Sequence, residues 1–342
     1  MVRVRYGVLG FAAAVSLVGM IAPAVHAQSV KEFYGSKQLV IDVGSAPGGG
    51  YDAQARLMAR YIGKYIPGNP NVIVQNRPGA GGLLAANYVY NIAQKDGTVI
   101  ALLQRTAITA KPLIGDNVHF DVSKFNWLGS LASEPGVLIV WHTSPVTAAR
   151  DLLTKPLIVG GAGTANDSEL TPKVLNAVIG TRFKIVPGYQ SVTAVALAME
   201  RAEVEGLADW SWSNAKRNAD LRDKKARLLM QFGLRHLDEL KDLPTPFDFA
   251  GSDADKTLLS VYLAPKDVSR PVALPPDVPV DRVAALRKAF LEMTRDPALL
   301  AEAEKLGIPL DPSYEDAVRH VIGVVESATP DVIARLRSIV GN

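Results

Sequence analysis

The sequence Ala46-Pro47-Gly48-Gly49-Gly50-Tyr51-Asp52 places three consecutive glycines between a segment typical of a buried strand and a segment typical of a helix. The β-branched run Gln38 to Val43 predicts the strand, and Leu57 and Tyr61 recur at helical spacing after the glycines. Glycine permits positive φ and lets a ligand approach bare backbone. The first N–H groups of a helix lack internal partners and lie at the positive end of its dipole. This first corner, Ala46 to Asp52, is therefore either an anion site or a tight turn without a ligand.

The same order of strand, glycine-rich corner and helix recurs along the chain. A strand at Val72 to Val74 leads to the glycine-rich run Asn76 to Gly82, and a strand at Thr98 to Leu103 follows the next helix. A strand at Leu157 to Val159 leads to Gly160-Gly161-Ala162-Gly163-Thr164. Strand–helix–strand units predict an α/β fold whose parallel strands are covered by helices. Ligands of such sheets bind beyond the carboxyl ends of the strands, where these corners lie.

The remaining segments complete the predicted organisation. Two strands are expected within Phe120 to Trp141, on either side of Glu134-Pro135-Gly136. Residues 242 to 280 are rich in proline and are predicted to be loop around a strand at Leu258 to Leu263. Helices are predicted for the C-terminal part, at Val280 to Arg295, Pro297 to Leu306, Tyr314 to Val325 and Pro330 to Ile339.

The N-terminal residues 1–27 have the features of a secretory signal peptide. Arg3 and Arg5 precede an apolar run from Val8 to Ala22, and Val25-His26-Ala27 supplies small residues at cleavage spacing. The apolar run is shorter than the roughly 20 residues that a membrane-spanning helix needs. We therefore expect cleavage after Ala27 and a soluble mature protein.

Length and charge narrow the function further. A chain of 342 residues exceeds the size at which one core usually stops growing, so two domains are expected. The formal net charge is +3, and removal of the two N-terminal arginines leaves about +1. No basic stripe with interleaved aromatic residues is present, which argues against nucleic acid as a partner. Cysteine is absent, so core packing has to hold the fold together.

Signatures of catalysis and of cofactor binding are missing. No lysine follows the corners at P-loop spacing, and Gly79-Ala80-Gly81-Gly82 lacks the spacing of a dinucleotide-binding fingerprint. The histidines match no zinc signature, and no nucleophile elbow is present. We expect neither metal nor cofactor. Convergence of Asp52, Asp167 and Asp209 on a substrate would leave an enzyme as the alternative, although aspartates at helix starts commonly act as caps.

Three motifs together resemble the substrate-binding proteins of tripartite tricarboxylate transporters, the Bug family. They are Pro47-Gly48-Gly49-Gly50-Tyr51-Asp52, then Asn76-Arg77-Pro78-Gly79-Ala80-Gly81-Gly82, then Asp96-Gly97 before a strand. Weaker similarity continues through Gly161-Ala162-Gly163-Thr164 and Asp242-Leu243-Pro244-Thr245. The resemblance covers essentially the whole mature chain.

The resemblance implies a periplasmic, two-lobed binding protein of the Venus flytrap type, with a mixed, mostly parallel sheet in each lobe. Lobe 1 is expected at residues 28–125 plus 240–342, and lobe 2 at 126–239. A monomer of this kind captures a small organic carboxylate between its lobes. It delivers the ligand to membrane subunits of a tripartite tricarboxylate-type transporter or to a sensor protein. The alternative from the residues alone is a periplasmic enzyme that acts on a carboxylate through Asp52 or Asp209.

The resemblance also implies that two facing corners hold the ligand carboxylate through backbone N–H groups and hydroxyls. By position these are the first corner and a second corner, Ala162 to Ser168, with Ala162, Gly163, Thr164, Ala165, Asn166 and Ser168 as its ligand-binding residues. The chain departs from the family pattern at Ala165-Asn166-Asp167-Ser168, at Gly188-Tyr189-Gln190 and at Ala208-Asp209.

Other expected cleft residues leave the ligand open. Arg105 follows the third strand and fits either a second ligand carboxylate or an ion pair with an acidic side chain. Trp210 and Trp212 fit either an aromatic ligand or packing at the hinge. Tyr189 and Asp209 complete the predicted site, which accommodates a dicarboxylate or an aromatic monocarboxylate.

Overall fold

The computed structural model describes residues 1–2, 28–115, 118–163 and 166–341. Nearly all of the predicted signal peptide, and Thr164 and Ala165 of the second corner, lie outside the described residues. Within the described ranges, no helix has the length and apolar character needed to cross a membrane.

The first sheet contains six strands of the described chain, in the order β11-β4-β10-β3-β1-β2. Its strands are β1 Gln38–Val43, β2 Asn71–Asn76, β3 Val99–Leu102, β4 Asn126–Ser130, β10 Pro271–Leu274 and β11 Ser313–Tyr314. Strand β1 pairs in parallel with β2 and β3, whereas β10 and β11 join antiparallel. The carboxyl ends of β1 and β3 consequently lie at one edge, which places the first corner beside Arg105.

The second sheet contains five strands, in the order β7-β6-β8-β5-β9, among the residues that the structure describes. Its strands are β5 Gly136–Trp141, β6 Leu157–Gly160, β7 Phe183–Val186, β8 Gly206–Ser211 and β9 Ala226–Phe232. Strand β6 pairs in parallel with β7 and β8, and β5 pairs antiparallel with β8 and β9. Both sheets are therefore mixed, as expected. Among the described residues they are not mostly parallel, because antiparallel pairings are about as frequent as parallel ones.

Helices cover both sheets. Their bounds are α1 Val30–Gly35, α2 Gly50–Ile62, α3 Leu83–Asn91, α4 Thr106–Ile114, α5 Asp167–Ile179, α6 Val192–Glu200, α7 Trp212–Ala215, α8 Ala219–Arg222, α9 Asp253–Leu263, α10 Val280–Met293, α11 Pro297–Leu306, α12 Glu315–Glu326 and α13 Pro330–Val340. In α2 the residues Leu57, Met58 and Ile62 are buried along one face, as the spacing predicts.

The structure corrects two assignments made from the sequence. Leu258 to Leu263 is the end of helix α9 and not a strand, because Ser252 accepts a hydrogen bond from the Asp255 N–H and starts a helix there. Strand β4 pairs with β10 in the first sheet, although the sequence prediction assigned residues 126–239, which include β4, to lobe 2 and β10 to lobe 1. The chain passes from one sheet to the other between β4 and β5, and the wider division into lobes stays a prediction.

The largest fully buried side chain is Trp127 of β4. Its indole N–H donates to the Val122 carbonyl over 2.9 Å, and its ring centre lies 5.5 Å from that of Phe125. Trp127 thereby anchors the segment that leads into β4 to the core of the first sheet.

We expect Trp127→Ala to lower the free energy of unfolding by about 3–5 kcal/mol, because it leaves a cavity in a packed interior. Trp127→Phe keeps most of the volume and loses the hydrogen bond to Val122, so about 1 kcal/mol is expected. Urea denaturation of both variants measures the difference. Equal losses in the two variants would contradict a dominant role for packing.

Candidate functional site

The first corner ends β1 and starts helix α2 without a side-chain cap. Gly48 adopts φ +85, and Gly49 is the N-cap residue in an extended conformation. The Gly48 N–H donates to the Asp52 carboxylate over 2.9 Å, which also accepts from Asn76 at 2.8 Å and from Arg56 at 2.9 Å. Asp52 thus braces the loop from within, while the N-terminus of α2 lies open.

A cavity of about 270 Å³ lies against this corner, and we call it the corner cavity. Loops and helices next to the two sheets line it, with Gly48, Gly49, Gly50, Ala53, Gln54, Glu134, Ser213, Asn214, Arg217, Arg270, Leu306, Gly307, Ile308 and Pro309. Arg217, which follows α7, donates to the Gly307 carbonyl over 3.1 Å and so reaches across from the second sheet to the first. Arg270 pairs with Glu134 at 3.0 Å and lies over the ring of Tyr51. Two arginines therefore lie beside the helix N-terminus.

A second cavity, the cleft cavity, has a volume of about 320 Å³. Its walls are Arg105, Thr106, Thr109, Leu113, Glu134, Asn166, Asp167, Leu170, Val192, Asp209, Trp210, Ser211, Tyr262, Pro265, Lys266 and Val340. Glu134 lines both cavities. Tyr51 of the first corner also contacts a residue that lines the cleft cavity, because its hydroxyl accepts from the Arg105 N–H. The same hydroxyl donates to the Ser269 carbonyl.

Ion pairs join the two sides of the cleft cavity. Lys266, only 3% exposed, contacts Asp167 at 2.7 Å and Asp209 at 2.9 Å. Arg105 forms an ion pair with the same Asp167 carboxylate. Lys266 precedes β10 and Arg105 follows β3, whereas Asp167 begins α5 and Asp209 lies in β8. The two cations of this network lie in segments next to strands of the first sheet, and the two acids lie in β8 and in the helix that follows β6 of the second sheet.

Burial and neighbouring charge set the ionisation of these groups. Burial opposes ionisation of Asp167, yet the charges of Arg105 and Lys266 hold its pKa below the usual range. Burial raises the pKa of Asp209 against the attraction of Lys266. Burial is the main reason that the pKa of the Tyr262 hydroxyl is raised. This hydroxyl contacts the Thr171 hydroxyl at 2.7 Å, and the Thr171 hydroxyl donates to the Asp209 carboxylate.

A bulge in β8 turns Asp209 towards the cleft. Opposite Leu138 of β5 the pairing register shifts, so that Ala208 and Asp209 face a single residue. Asp209 has φ +58, a conformation that costs free energy for a residue with a side chain. A side chain on Gly136 would collide with Asp209, because an added Cβ would lie 1.6 Å from its carboxylate. Glycine at this position leaves the space that the carboxylate occupies.

The described part of the second corner uses its backbone donors within the loop. The Ala162 N–H donates to the Ser168 hydroxyl over 3.0 Å, and the Gly163 N–H donates to Glu169 over 2.8 Å. Asn166 caps α5 by accepting from the Ser168 N–H and also lines the cleft cavity. The structure places the two corners beside different cavities, and a shared grip on one carboxylate stays a prediction.

The other predicted site residues divide between the cavities and the scaffold. Arg105 and Asp209 line the cleft cavity, and Trp210 does so as well. Ala46, Pro47 and Tyr189 are not among the residues that line either cavity. Tyr189 instead packs against the core of the second sheet. Trp212 donates to Glu239 outside the cleft cavity.

Sequence reasoning missed Lys266, Tyr262, Glu134 and Arg270. Lys266 and Tyr262 lie in the stretch predicted to be loop and strand. The sequence Ser252-Asp253-Ala254-Asp255 indicates a helix start in that stretch. In the part of the chain that the structure describes, no group of three or more acidic or histidine side chains could hold a metal ion.

Comparison with known proteins identifies what this chain is similar to. Residues 55–308 match the model of the family described as tripartite tricarboxylate transporter family receptor. A UPF0065 protein from the TAR-I ttuE-ttuC′ intergenic region of Agrobacterium vitis is 24% identical over 300 residues, which is 86% of this chain and 81% of that protein.

Solved structures share the fold. A ligand-free TctC solute binding protein from Polaromonas gives a TM-score of 0.69 at 18% identity, and the match covers 90% of this chain and 99% of that one. R. palustris Rpa4515 with adipate gives 0.59 at 20% identity, over 89% of this chain and 98% of that one. The expected two-lobed α/β architecture is therefore confirmed.

The pH dependence of folding tests the contacts of Asp52. Its hydrogen bonds, that from Arg56 first among them, lower the carboxyl pKa from 3.8 to about 2. Because the folded pKa lies below the unfolded one, the carboxylate stabilises the fold above about pH 4 and loses this effect as the pH falls through about 2. We expect Asp52→Asn to cost about 1–2 kcal/mol at neutral pH and to flatten the acid limb of the stability curve. Urea denaturation across this range measures it.

Asp253→Asn is the control for this measurement, because the Asp253 side chain is fully exposed. It should leave the stability curve unchanged. If the Asp52→Asn protein kept the same acid limb of the stability curve, the hydrogen bonds of Asp52 would not stabilise the first corner.

A second test concerns Lys266. We expect Lys266→Met to lower the free energy of unfolding by about 3–5 kcal/mol, because it leaves the buried Asp209 carboxylate without its cation and removes one of the two cations that contact Asp167. Adding Asp209→Asn to that variant removes the charge of the unpaired carboxylate and should recover part of the loss, since asparagine tolerates positive φ. A double-mutant cycle from urea denaturation measures the coupling. Strictly additive effects would show that Lys266 and Asp209 do not interact.

Proposed function

We propose that this chain, which belongs to the tripartite tricarboxylate transporter family of receptors, captures a small organic carboxylate between its two lobes. The observation that supports this most directly is the open N-terminus of α2 in the corner cavity. Free helix N–H groups and the helix dipole favour an anion at this position.

The surroundings of the corner cavity fit the same ligand chemistry. Arg217 and Arg270 lie beside the helix N-terminus, and Ser213 and Asn214 bring polar side chains from the facing side. Charge-assisted hydrogen bonds from arginine to a carboxylate are among the stronger polar interactions. Because both sheets contribute residues, a bound carboxylate would hold the lobes together, which is how binding is coupled to closure in proteins of this shape.

The wider biological setting is part of the proposal. The N-terminal sequence supports export to the periplasm with cleavage after Ala27, and the family supports delivery to membrane subunits of a tripartite transporter. The ligand of R. palustris Rpa4515, adipate, is of the chemical class we propose for this chain. The mechanism is recognition without a covalent step, so native mass spectrometry should recover the ligand unchanged.

Substitution of Gly49 tests the corner. At a hundredfold excess over Kd, a ligand stabilises its receptor by about 2.7 kcal/mol. Gly49→Val should abolish this stabilisation, because its side chain covers the helix N-terminus that receives the carboxylate. Thermal unfolding with hexanoate, adipate, benzoate and terephthalate measures the effect.

Gly251→Val is the matched control, since Gly251 also precedes a helix and has free space around it but lies far from the corner in the chain. Its ligand-induced stabilisation should equal that of the unmodified protein. If Gly49→Val keeps the full stabilisation, the corner is not where the carboxylate binds.

A further inference from the structure

The cleft cavity contains cations that are already neutralised. Arg105 and Lys266 are the basic residues among the described residues that line it, and both contact the carboxylate of Asp167. Lys266 also contacts Asp209. A ligand that entered this cavity would therefore meet ion pairs that the protein completes by itself.

The Asp167 carboxylate is available for these ion pairs because a different residue, Asn166, caps helix α5. The N-cap of α5 is Asn166, whose side chain accepts from the Ser168 N–H. The Asp167 carboxylate accepts instead from Arg105, which follows β3, and from Lys266, which precedes β10. The backbone N–H of Arg105 donates to the Tyr51 hydroxyl, which connects this ion pair to the first corner.

The balance of charge around the cavity disfavours an additional anion. Glu134, Asp167 and Asp209 supply three carboxylates to its walls, against two cations. Arg270, which lines the corner cavity, neutralises Glu134 from behind. A further carboxylate would enter without a partner, and an unpaired buried charge is strongly unfavourable.

Much of the remaining wall is apolar, with Leu113, Leu170, Val192, Trp210, Pro265 and Val340. The uncharged polar residues that also line it are Thr106, Thr109, Asn166, Ser211 and Tyr262. The apolar part of the wall gains free energy by burying hydrocarbon. Trp210 adds a flat face of the kind on which a ring packs.

We propose that Asp167 takes the place of a second ligand carboxylate, so that this receptor binds monocarboxylates with an apolar body and rejects dicarboxylates. The inference rests on the proposed function, because it assumes that the first corner holds the ligand's single carboxylate. The hydrocarbon part then occupies the cleft cavity.

The test uses pairs of acids that differ by one carboxylate: hexanoate with adipate, and benzoate with terephthalate. Isothermal titration calorimetry of the mature protein should give Kd values at least about tenfold lower for the monocarboxylate of one or both pairs, a difference of about 1.4 kcal/mol. Asp167→Ala removes the carboxylate partner of Arg105 and leaves Lys266 paired with Asp209 alone, so the preference should fall by about tenfold or reverse. Asp167→Asn, which keeps the shape of the side chain, should shift it in the same direction.

Asp151→Asn is the matched control, because it removes an aspartate that pairs with Lys155 in the segment before β6, which does not line the cleft cavity. Its preference should equal that of the unmodified protein. Circular dichroism of each variant confirms that it folds, and Asp167→Asn retains the test if Asp167→Ala does not.

Each adverse outcome has a distinct meaning. Tighter or equal binding of both dicarboxylates by the unmodified protein overturns the inference and leaves the proposed function intact. A preference for monocarboxylates that neither Asp167 variant changes overturns the role of Asp167. Failure of all four acids to bind contradicts the proposed function and the inference with it.

Discussion

The contact of Asp167 with Arg105 and Lys266 is the interaction on which the arrangement of the cleft depends. Buried charges are tolerated only when paired, so each member fixes the position of the others. Because the cations follow or precede strands of the first sheet and the acids lie in β8 and α5 beside the second, the network also connects the surroundings of the two sheets. Its ion pairs neutralise charges that line the cleft cavity.

Local features of the chain serve this network. A bulge in β8 and the absence of a side chain at Gly136 direct Asp209 inward. Asn166 caps α5 and so releases Asp167, while Asp52 braces the first corner and leaves the N-terminus of α2 open. Backbone donors lie at the corner cavity and paired side-chain charges at the cleft cavity, and Glu134 lines both.

Many elements of the fold followed from sequence patterns, and the exceptions have physical reasons. The first corner, strands β1 to β3 and the four C-terminal helices were predicted because periodicity and glycine placement are local properties. The run Leu258 to Leu263 was assigned to a strand because a short apolar run fits a strand and a buried helix equally well. The pairing of β4 with β10 in the first sheet was not predicted, because β10 follows β4 by more than a hundred residues.

The sequence by itself indicated the two glycine-rich corners, the family and the position of Arg105 after a strand, since each depends on neighbouring residues. It predicted Asp209 at the end of a strand, whereas the structure places Asp209 at a bulge within β8. Tertiary structure decided which charges meet. Arg105 and Asp167 are 62 residues apart, and Lys266 and Asp167 are 99 apart, so no spacing rule connects them. A carboxylate at the start of a helix can accept from the N–H groups of its own helix or pair with a cation of another segment. Which of the two occurs depends on the cations that tertiary packing places nearby. That choice is made only when the two sheets face each other.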